Sequence, residues 1–407
     1  MERFISLLGI PALLLIAFLF CTDRKKIPYK TIGGGIGLQF LLALLVLRTN
    51  VGREIFRLVG HGAERLIGFT LAGSKFVFGD LTAVDKVGFV VAVQVLPVIV
   101  FFSSLSAILY HFGILQWLVR QMARVFTRTL GISGAEALSA AANVFVGMVE
   151  APLLIRPYIE EMTESELFCV MSVGMATIAG SVMAAYIGIL QPHFPNVAGH
   201  ILAASLMSAP AGIVVAKIMV PESGTPRTAG RVNIIVEKRD VNFIDAAARG
   251  ATDGMHLAIA VAAMLIAFIA LVAMVNGVFS LMHTSFEAIL GWLFAPIAFV
   301  MGVPWKEALQ VGSLLGQKTV LNEFVAYLNL ANGLASGKLA LSPRSITIAT
   351  YALCGFANFG SLGIMIAGIS GMAPSRRHDL ARLGIRSIIS GSLAAFLTAT
   401  IAGVLIR

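Results

Sequence analysis

The chain has 407 residues, of which 58% are hydrophobic and only 13% are charged, and its formal net charge is +9. Ordinary soluble domains carry about 25% charged residues, so this composition excludes a soluble globular fold and predicts an all-α polytopic membrane protein. The basic residues form short clusters between apolar runs, which indicates a topology signal rather than a surface that binds nucleic acid.

The first apolar run, residues 4–21, is followed directly by Arg24, Lys25 and Lys26. No basic segment precedes this run and no small-residue cleavage site follows it, so we predict a retained transmembrane helix rather than a signal peptide. Further apolar runs have lengths near the ~20 residues that cross a bilayer. The eight predicted spans are 4–21, 31–47, 87–110, 168–190, 198–219, 255–279, 345–370 and 383–406.

Three segments, 51–69, 115–131 and 243–254, mix charged and apolar residues at helical spacing, which predicts amphipathic helices on the membrane surface. Basic clusters orient the spans, because loops rich in lysine and arginine stay on the cytoplasmic side. If the basic clusters are cytoplasmic, the eight spans alternate without conflict and both termini lie outside the cytoplasmic membrane. This topology requires that residues 133–158 and 305–330 do not cross.

These two remaining segments resemble each other. Each begins with Glu-Ala-Leu, at Glu136 and Glu307, and each carries an asparagine and a glutamate near its middle. The next span also matches, because GMATIAGS (174–181) resembles GFANFGS (355–361). The topology puts the two segments on opposite sides, so we predict inverted repeats, each with a re-entrant helical hairpin. Such a pair indicates the binding site of a secondary transporter.

Glu150 and Glu323 lie near the tips of the two predicted hairpins, where an ionisable group is costly and marks a functional site by default. They would accept hydrogen bonds from a neutral polar solute, or carry protons. The alternative is structural, with each glutamate paired with a lysine or capping a hairpin helix. Asn143, Thr177 and the carbonyls of broken helix ends suit a small hard cation, although Asn143 alone could be a hairpin-turn residue. No catalytic set is present, so we predict no enzymatic activity.

Several long stretches resemble signatures of the concentrative nucleoside transporter family. They include SGAEALSAAANVFVG in the first hairpin, LNEFVAYL in the second and ALCGFANFGSLGI in the span that follows, and they keep the family's order from about residue 75 onwards. The resemblance implies a homotrimer in the lipid bilayer, whose transport domain moves like an elevator against a scaffold. It also implies symport of a nucleoside, driven by a sodium gradient or, in some members, by protons, with no other cofactor.

On this basis we divide the chain into five parts. The N-terminal helices of the scaffold occupy residues 1–111, and the first repeat of the transport domain occupies 112–220. Residues 221–242 form a cytoplasmic linker, in which VNIIVEK (232–238) could form a short strand. Residues 243–283 add a scaffold helix. The second, inverted repeat occupies 284–407 and begins with an interfacial helix.

The resemblance assigns roles to the residues that match the family's motifs. Nine residues correspond to nucleoside-binding positions: Gly147, Met148, Val149, Glu150, Val182, Glu323, Phe356, Asn358 and Ser361. Among them, Glu323, Asn358 and Ser361 correspond to groups that hold the ribose. Val182 and Phe356 correspond to residues beside the base and the sugar.

Four further residues correspond to sodium ligands: the Asn143 side chain, the Val146 and Ile178 carbonyls and the Thr177 hydroxyl. Many family members have serine where Thr177 stands, and the hydroxyl that threonine retains favours sodium over proton coupling. The alternatives are a proton-coupled symporter, a transporter of nucleobases or modified nucleosides and, in another class, a channel or membrane scaffold protein.

The chain departs from the family at the tip of the first hairpin. Many members have Gly-Gln-Thr-Glu there, whereas this chain has Gly147, Met148, Val149 and Glu150. Glutamine and threonine can form hydrogen bonds with a nucleobase edge, whereas methionine and valine cannot donate one. A flexible thioether suits a larger, flatter surface, so the substitution favours purine nucleosides.

Overall fold

The computed structural model describes residues 2–88, 90–229, 240–281 and 283–406. Within these ranges the chain forms helices and connecting turns and no β-strand. The strand considered at 232–238 lies outside the described residues.

The helices succeed one another with short connections, and two 3₁₀ turns (Gly79–Thr82 and Pro374–Arg376) interrupt the series. In chain order the α-helices are α1 (Glu2–Leu19), α2 (Tyr29–Arg48), α3 (Asn50–Phe78), α4 (Val84–Val87), α5 (Val91–Gln94), α6 (Leu96–His111), α7 (Ile114–Leu130), α8 (Gly134–Asn143), α9 (Glu150–Leu153), α10 (Arg156–Ile159), α11 (Glu164–Ala176), α12 (Gly180–Leu190), α13 (Val197–Met219), α14 (Phe243–Ser280), α15 (Phe286–Val300), α16 (Trp305–Val320), α17 (Glu323–Ala335), α18 (Pro343–Leu353), α19 (Phe359–Met372) and α20 (Arg377–Leu405).

Seven of the eight predicted spans correspond to helical segments of the described chain that are long and apolar enough to cross a membrane. These segments are Glu2–Leu19, Tyr29–Arg48, Val91–His111, Glu164–Leu190, Val197–Met219, Phe243–Ser280 and Pro374–Leu405. The eighth predicted span, 345–370, consists instead of the short helices α18 and α19. The span at 168–190 is interrupted as well, between α11 and α12.

The predicted interfacial helix at 243–254 is wrong as a separate element, because these residues form the first turns of the continuous helix α14. The Asn242 side chain caps its start by accepting from the amides of Ile244 and Asp245. Gly250 and Gly254 then face α6, where an added Cβ would approach Ser103 to within 2.7–2.8 Å. The glycines therefore serve close helix packing and do not end the helix.

Each of the two predicted hairpin segments consists of helices separated by a turn, and the two differ in internal structure. In the first, a capping box between Ser133 and Glu136 starts α8, and after Asn143 the chain turns through Gly147 at φ +108° before the short helices α9 and α10. In the second, only two residues separate α16 from α17, and Asn322 caps α17 by accepting from the Val325 amide.

The bases of the two hairpins lie at opposite ends of the long helix α20. Near its start, the Arg376 guanidinium donates to the Met162 carbonyl (2.7 Å), which lies just after the first hairpin. Near its end, the Arg344 guanidinium donates to the carbonyls of Gly302 (3.0 Å) and Ile406 (3.3 Å), beside the second hairpin. The two hairpins therefore begin at opposite ends of α20.

A buried ion pair fastens the base of the first hairpin. Lys217 on α13 lies 2.5 Å from the carboxylate of Glu136 on α8 and donates to the Ser165 hydroxyl on α11 at 2.9 Å. Lys217 and Glu136 are 4% and 1% exposed. A buried charge that loses its partner is strongly destabilising, so this contact ties three helices together.

Replacing Lys217 with methionine keeps the side-chain volume but leaves the Glu136 carboxylate without its cation. We expect Lys217→Met to lower the free energy of unfolding by about 3 kcal/mol. Thermal unfolding of the purified protein in detergent measures this effect. The matched control Lys30→Met, at an exposed lysine, should leave the midpoint unchanged. Equal midpoints for the two variants would contradict the role of the pair.

Candidate functional site

The two interrupted spans cross at their interruptions. The chain leaves helical geometry at Thr177 in the first and at Cys354 in the second. The Phe356 amide donates to the Thr177 carbonyl at 3.3 Å. At Gly355 an added Cβ would lie 2.9 Å from the Ala176 carbonyl oxygen, so only glycine permits this approach. The ends of four half-helices therefore meet inside the fold, and non-helical backbone at membrane depth survives only when protein buries it in this way.

A cavity of about 290 Å³ opens beside this crossing, a volume near the lower end for small-molecule sites. Both hairpin tips line it, together with α6, α12, α14 and α19. Eight of the nine residues predicted to bind a nucleoside line the cavity: Gly147, Met148, Val149, Glu150, Val182, Glu323, Phe356 and Ser361.

Asn358, the ninth residue, reaches the site through Glu323. Its side-chain amide donates to Glu323 Oε2 at 2.8 Å, and its Oδ1 accepts from the Ser361 amide at 2.8 Å. The Asn358 side chain thus caps α19 with its oxygen and binds the Glu323 carboxylate with its nitrogen. The three residues predicted to act together on a sugar form one hydrogen-bonded chain.

Glu323 is held from two sides. The Tyr186 hydroxyl donates to its Oε1 at 2.7 Å, opposite the Asn358 contact on Oε2. Within the described residues no basic side chain lies within 4 Å of it, so pairing with Lys318 is not its structural role. A buried carboxylate with two donors in place presents its remaining lone pairs in a fixed direction.

Glu150 lies across the cavity and is exposed to it. It starts α9, and its Oε2 lies 2.9 Å from the position that a Cβ at Gly147 would take. In the part of the chain that the structure describes, it forms no ion pair, and neither Arg156 nor any other cation neutralises it directly. Asp253 of α14 lines the same cavity.

The two residues that depart from the family, Met148 and Val149, pack against glycines. Met148 lies over Gly174 of α11, where an added Cβ would be 3.1 Å from the Met148 Cβ. Val149 lies over Gly368 of α19, at 2.7 Å from such a Cβ. Both residues still line the cavity, and they contribute apolar surface to its wall.

Of the four residues predicted to bind sodium, Asn143 and Val146 lie in the first hairpin, and Thr177 and Ile178 lie at the break in the first span. The Gly180 amide donates to the Phe145 carbonyl at 3.0 Å, which brings the hairpin tip against residues 177–179. Asn143 is fully buried; its Nδ2 donates to the Ser139 carbonyl, while Oδ1 has no donor among the described residues. The Thr177 hydroxyl donates to the Val173 carbonyl at 2.9 Å, which leaves its lone pairs free. These neutral oxygens suit a small hard cation.

Several polar residues of this cavity were not singled out from the sequence, among them Tyr186, Arg249 and Asp253. Tyr186 lies in an apolar, glycine-rich span. A buried tyrosine hydroxyl needs a hydrogen-bond partner, and this requirement could have indicated a polar contact at Tyr186. Arg249 and Asp253 were interpreted as parts of an interfacial helix. They are four residues apart on α14, 3.1 Å from each other, and they line the mouth of the cavity.

Three family profiles match the chain in succession. The one described as "Na+ dependent nucleoside transporter N-terminus" matches residues 8–81, and "Nucleoside recognition" matches 92–193. "Na+ dependent nucleoside transporter C-terminus" matches 200–403. The chain belongs to the sodium-dependent nucleoside transporter family. It is thus a member of a family of transporters and not of enzymes, and sodium is the coupling ion of that family.

Relatives of this family match over nearly the whole chain. "Uncharacterized transporter YutK" of Bacillus subtilis is 43% identical over 98% of this chain and 99% of its own length. "Nucleoside permease NupC" of Helicobacter pylori is 39% identical, over 98% and 97%. "Solute carrier family 28 member 3" of mouse is 41% identical over 99% of this chain, which spans 59% of that longer protein.

Solved structures of the transporter CNTnw share the fold. Its inward-facing, substrate-bound structure is 45% identical and superposes with a TM-score of 0.93 over 99% of both chains. An outward-facing variant is 44% identical and gives 0.94 over 100% of this chain and 99% of its own. The helical architecture of this chain is therefore that of the sodium-dependent nucleoside transporter family.

The sodium-ligand assignment predicts a stability effect. An ion that binds only the folded protein stabilises it, by ~2.7 kcal/mol at 100 times its Kd. We expect sodium chloride in place of choline chloride to raise the thermal midpoint of the native protein, and Asn143→Ala to lose most of that rise.

Asn332→Ala, at an exposed asparagine of α17, is the control and should keep the full sodium-dependent rise. The assignment fails if Asn143→Ala responds to sodium as the native protein does.

Proposed function

We propose that this chain is a secondary active symporter that imports nucleosides across the cytoplasmic membrane, driven by a sodium gradient. The observation that carries the proposal is Glu323, fixed on the cavity wall by Tyr186 and Asn358 with Ser361 beside it. An ionised carboxylate only accepts hydrogen bonds, so it suits the adjacent hydroxyls of a ribose and repels anionic solutes. Relatives named nucleoside permease and sodium/nucleoside cotransporter support this substrate class.

Coupling follows from the proposed positions of ion and solute. The sodium ligands Asn143 and Val146 belong to the same hairpin tip as the solute-facing residues Met148 to Glu150. A cation there would neutralise part of the charge of Glu150 and hold the tip against Thr177. Solute would then bind to a tip that sodium has ordered, which is a coupling free energy between two sites.

The apolar wall formed by Met148 and Val149 supports the proposed lean towards purine nucleosides. These side chains donate no hydrogen bond to the edge of a pyrimidine. They pack on Gly174 and Gly368, which have no side chains that could donate one instead. The larger purine ring gains more from an apolar contact surface.

We further propose that the protein works as a homotrimer with an elevator-like motion. The moving unit would contain both hairpins and the broken spans. The contact between Phe356 and Thr177 joins the two spans, and the Gly180–Phe145 and Asn358–Glu323 hydrogen bonds join the hairpins to them. The scaffold would contain α6 and α14, which pack on each other. Only 17% of the apolar stretch of α14 is buried within one chain, which leaves a face for lipid and neighbouring protomers. CNTnw has been captured in inward-facing, intermediate and outward-facing states, which supports alternating access.

The proposed orientation rests on charge. Lys217, Arg227, Arg376, Arg382 and Arg386 gather at the start of α20, where several of them form ion pairs with nearby glutamates. The positive-inside rule makes this end cytoplasmic, so both chain termini would lie outside.

Uptake into proteoliposomes tests the proposed function directly. We expect an inward sodium gradient to drive labelled inosine, adenosine or uridine above its equilibrium concentration, and a potassium gradient to have no such effect. Glu323→Gln, which keeps the shape but replaces one acceptor oxygen by a donor, should lower kcat/KM by at least about tenfold. Glu307→Gln, outside the cavity, is the control.

Passive equilibration without accumulation would indicate a channel. Uptake that ignores sodium but collapses with a proton uncoupler would indicate proton coupling.

The substrate preference has its own test. The double variant Met148→Gln, Val149→Thr introduces groups that can form hydrogen bonds with a pyrimidine edge. We expect the ratio of kcat/KM for uridine over inosine to rise about tenfold or more, since sites that form hydrogen bonds with a substrate discriminate strongly. Competition between the two nucleosides measures the ratio. The purine assignment would be contradicted if the native protein preferred uridine, or if the double variant kept the same ratio as the native protein.

A further inference from the structure

The helix α7, which precedes the first hairpin, presents an exposed row of three arginines. One face of this helix packs on the rest of the fold, and its buried residues are Leu115, Gln116, Val119, Ala123, Phe126 and Leu130. The opposite face carries Arg120, Arg124 and Arg128, all of them exposed. Because residues four apart lie on the same side of a helix, the three arginines form one row about 12 Å long.

This arginine row lacks the acidic partners that other basic residues of the chain have. Between Asp85 and Glu136 the sequence contains no aspartate or glutamate. Among the described residues, no carboxylate lies within 4 Å of the row, whereas Arg227 and Arg382 form ion pairs with glutamates. The middle arginine of the row donates to the uncharged side chain of Gln121 at 2.9 Å. The row therefore offers positive charge that nothing in the described part of the chain neutralises.

Large apolar side chains lie beside the arginine row. Trp117 is on the same face and is 61% exposed, while Ile114 and Val125 follow one edge of the row and are 51% and 44% exposed. Exposed tryptophan and aliphatic side chains beside basic residues are typical of a helix that lies in the interface of a membrane. A free inorganic anion would leave these apolar side chains in water, whereas a phospholipid offers acyl chains next to its phosphate.

The neighbours of α7 place it along the membrane surface. The helix follows the end of α6 after a turn at Gly113 (φ +79°). Its last turn contacts the start of α2, where the Thr31 hydroxyl donates to the Leu130 carbonyl at 2.8 Å. Because a row of exposed charges is too costly for the bilayer core, α7 runs along the interface between these two predicted spans.

We propose that the exposed face of α7 binds the phosphate groups of anionic phospholipids, with the arginine row at the phosphates and Trp117 and Ile114 against the acyl region. A guanidinium group suits this role because it binds phosphate oxygens through two parallel hydrogen bonds. Near an anionic surface each basic residue strengthens binding about fivefold. Only residues 131–133 separate α7 from α8, so the bound lipid holds the base of the first hairpin at the membrane surface.

Quenching of tryptophan fluorescence by brominated lipids tests this contact. The sequence contains three tryptophans, Trp117, Trp292 and Trp305. In the variant Trp292→Phe, Trp305→Phe, reconstituted in phosphatidylcholine vesicles, Trp117 is the only reporter. We expect brominated phosphatidylglycerol to quench it with an apparent affinity at least about fivefold above that of brominated phosphatidylcholine with the same chains. The matched control Trp117→Phe keeps the tryptophans of α15 and α16, and the two lipids should quench these equally.

Substitutions in the arginine row test its part in the preference. In the Trp117 reporter, the triple variant Arg120→Gln, Arg124→Gln, Arg128→Gln should lose the preference for phosphatidylglycerol. The triple lysine variant of the same positions keeps the charges and should retain most of it. Equal quenching of Trp117 by the two lipids with the row intact would overturn the inference, as would a preference that survives the triple glutamine variant. If the glutamine variant does not fold, the comparison of the two lipids on Trp117 decides.

Two further measurements distinguish a lipid from other occupants of this face. Inorganic phosphate, added at matched ionic strength, should not reduce the quenching by brominated phosphatidylglycerol, and competition would indicate a site for a free anion. Trp117 that neither lipid quenches, together with loss of self-association in the glutamine variant, would indicate that a second copy of the chain covers the face. Either result would overturn the inference.

Discussion

The crossing of the two broken spans is the contact on which the site depends. A helix that stops inside a membrane leaves carbonyls and amides without partners, and each unpaired group costs several kcal/mol in hydrocarbon. This fold stops two helices at the same place, where the Phe356 amide binds the Thr177 carbonyl and Gly355 allows the backbones to touch. The free ends become binding groups because they face each other and not lipid.

The two hairpins complete this centre with unlike chemistry. The second hairpin brings Glu323 under two fixed donors and Lys318 under the end of α18, so its polar groups are largely satisfied by protein. The first hairpin brings Asn143, whose Oδ1 has no hydrogen-bond partner among the described residues, and Glu150, which forms no ion pair with them. The polar groups of the second hairpin are thus preorganised by the protein, whereas those of the first hairpin gain their partners from the ion and the solute that bind. That division is what a coupled transporter needs, because its affinity for solute has to depend on the ion.

Hydropathy predicted most of this fold, since a span of about 20 apolar residues has few alternatives. The hairpins were predictable because polar residues recurred at matching places in two halves. Other features depend on contacts between distant residues. Tyr186 and Glu323 lie 137 positions apart, and their bond is invisible in either local pattern. The continuity of α14 was missed because charged and apolar residues mix at 243–254, whereas the packing of Gly250 and Gly254 on α6 is not visible in the sequence. The Ser361 amide binds Asn358 as part of a helix N-cap. This cap could be predicted only if the break in the span were already known.

Coupling between ion and solute is the central claim, and equilibrium binding to the purified protein measures it most directly. Titration with inosine and uridine in sodium chloride and in choline chloride gives the nucleoside affinity in each salt, and titration with sodium gives the reciprocal effect. By linkage, sodium must tighten nucleoside binding by the same factor by which nucleoside tightens sodium binding, about 5–150-fold for typical couplings. Equal nucleoside affinities in the two salts would contradict the account.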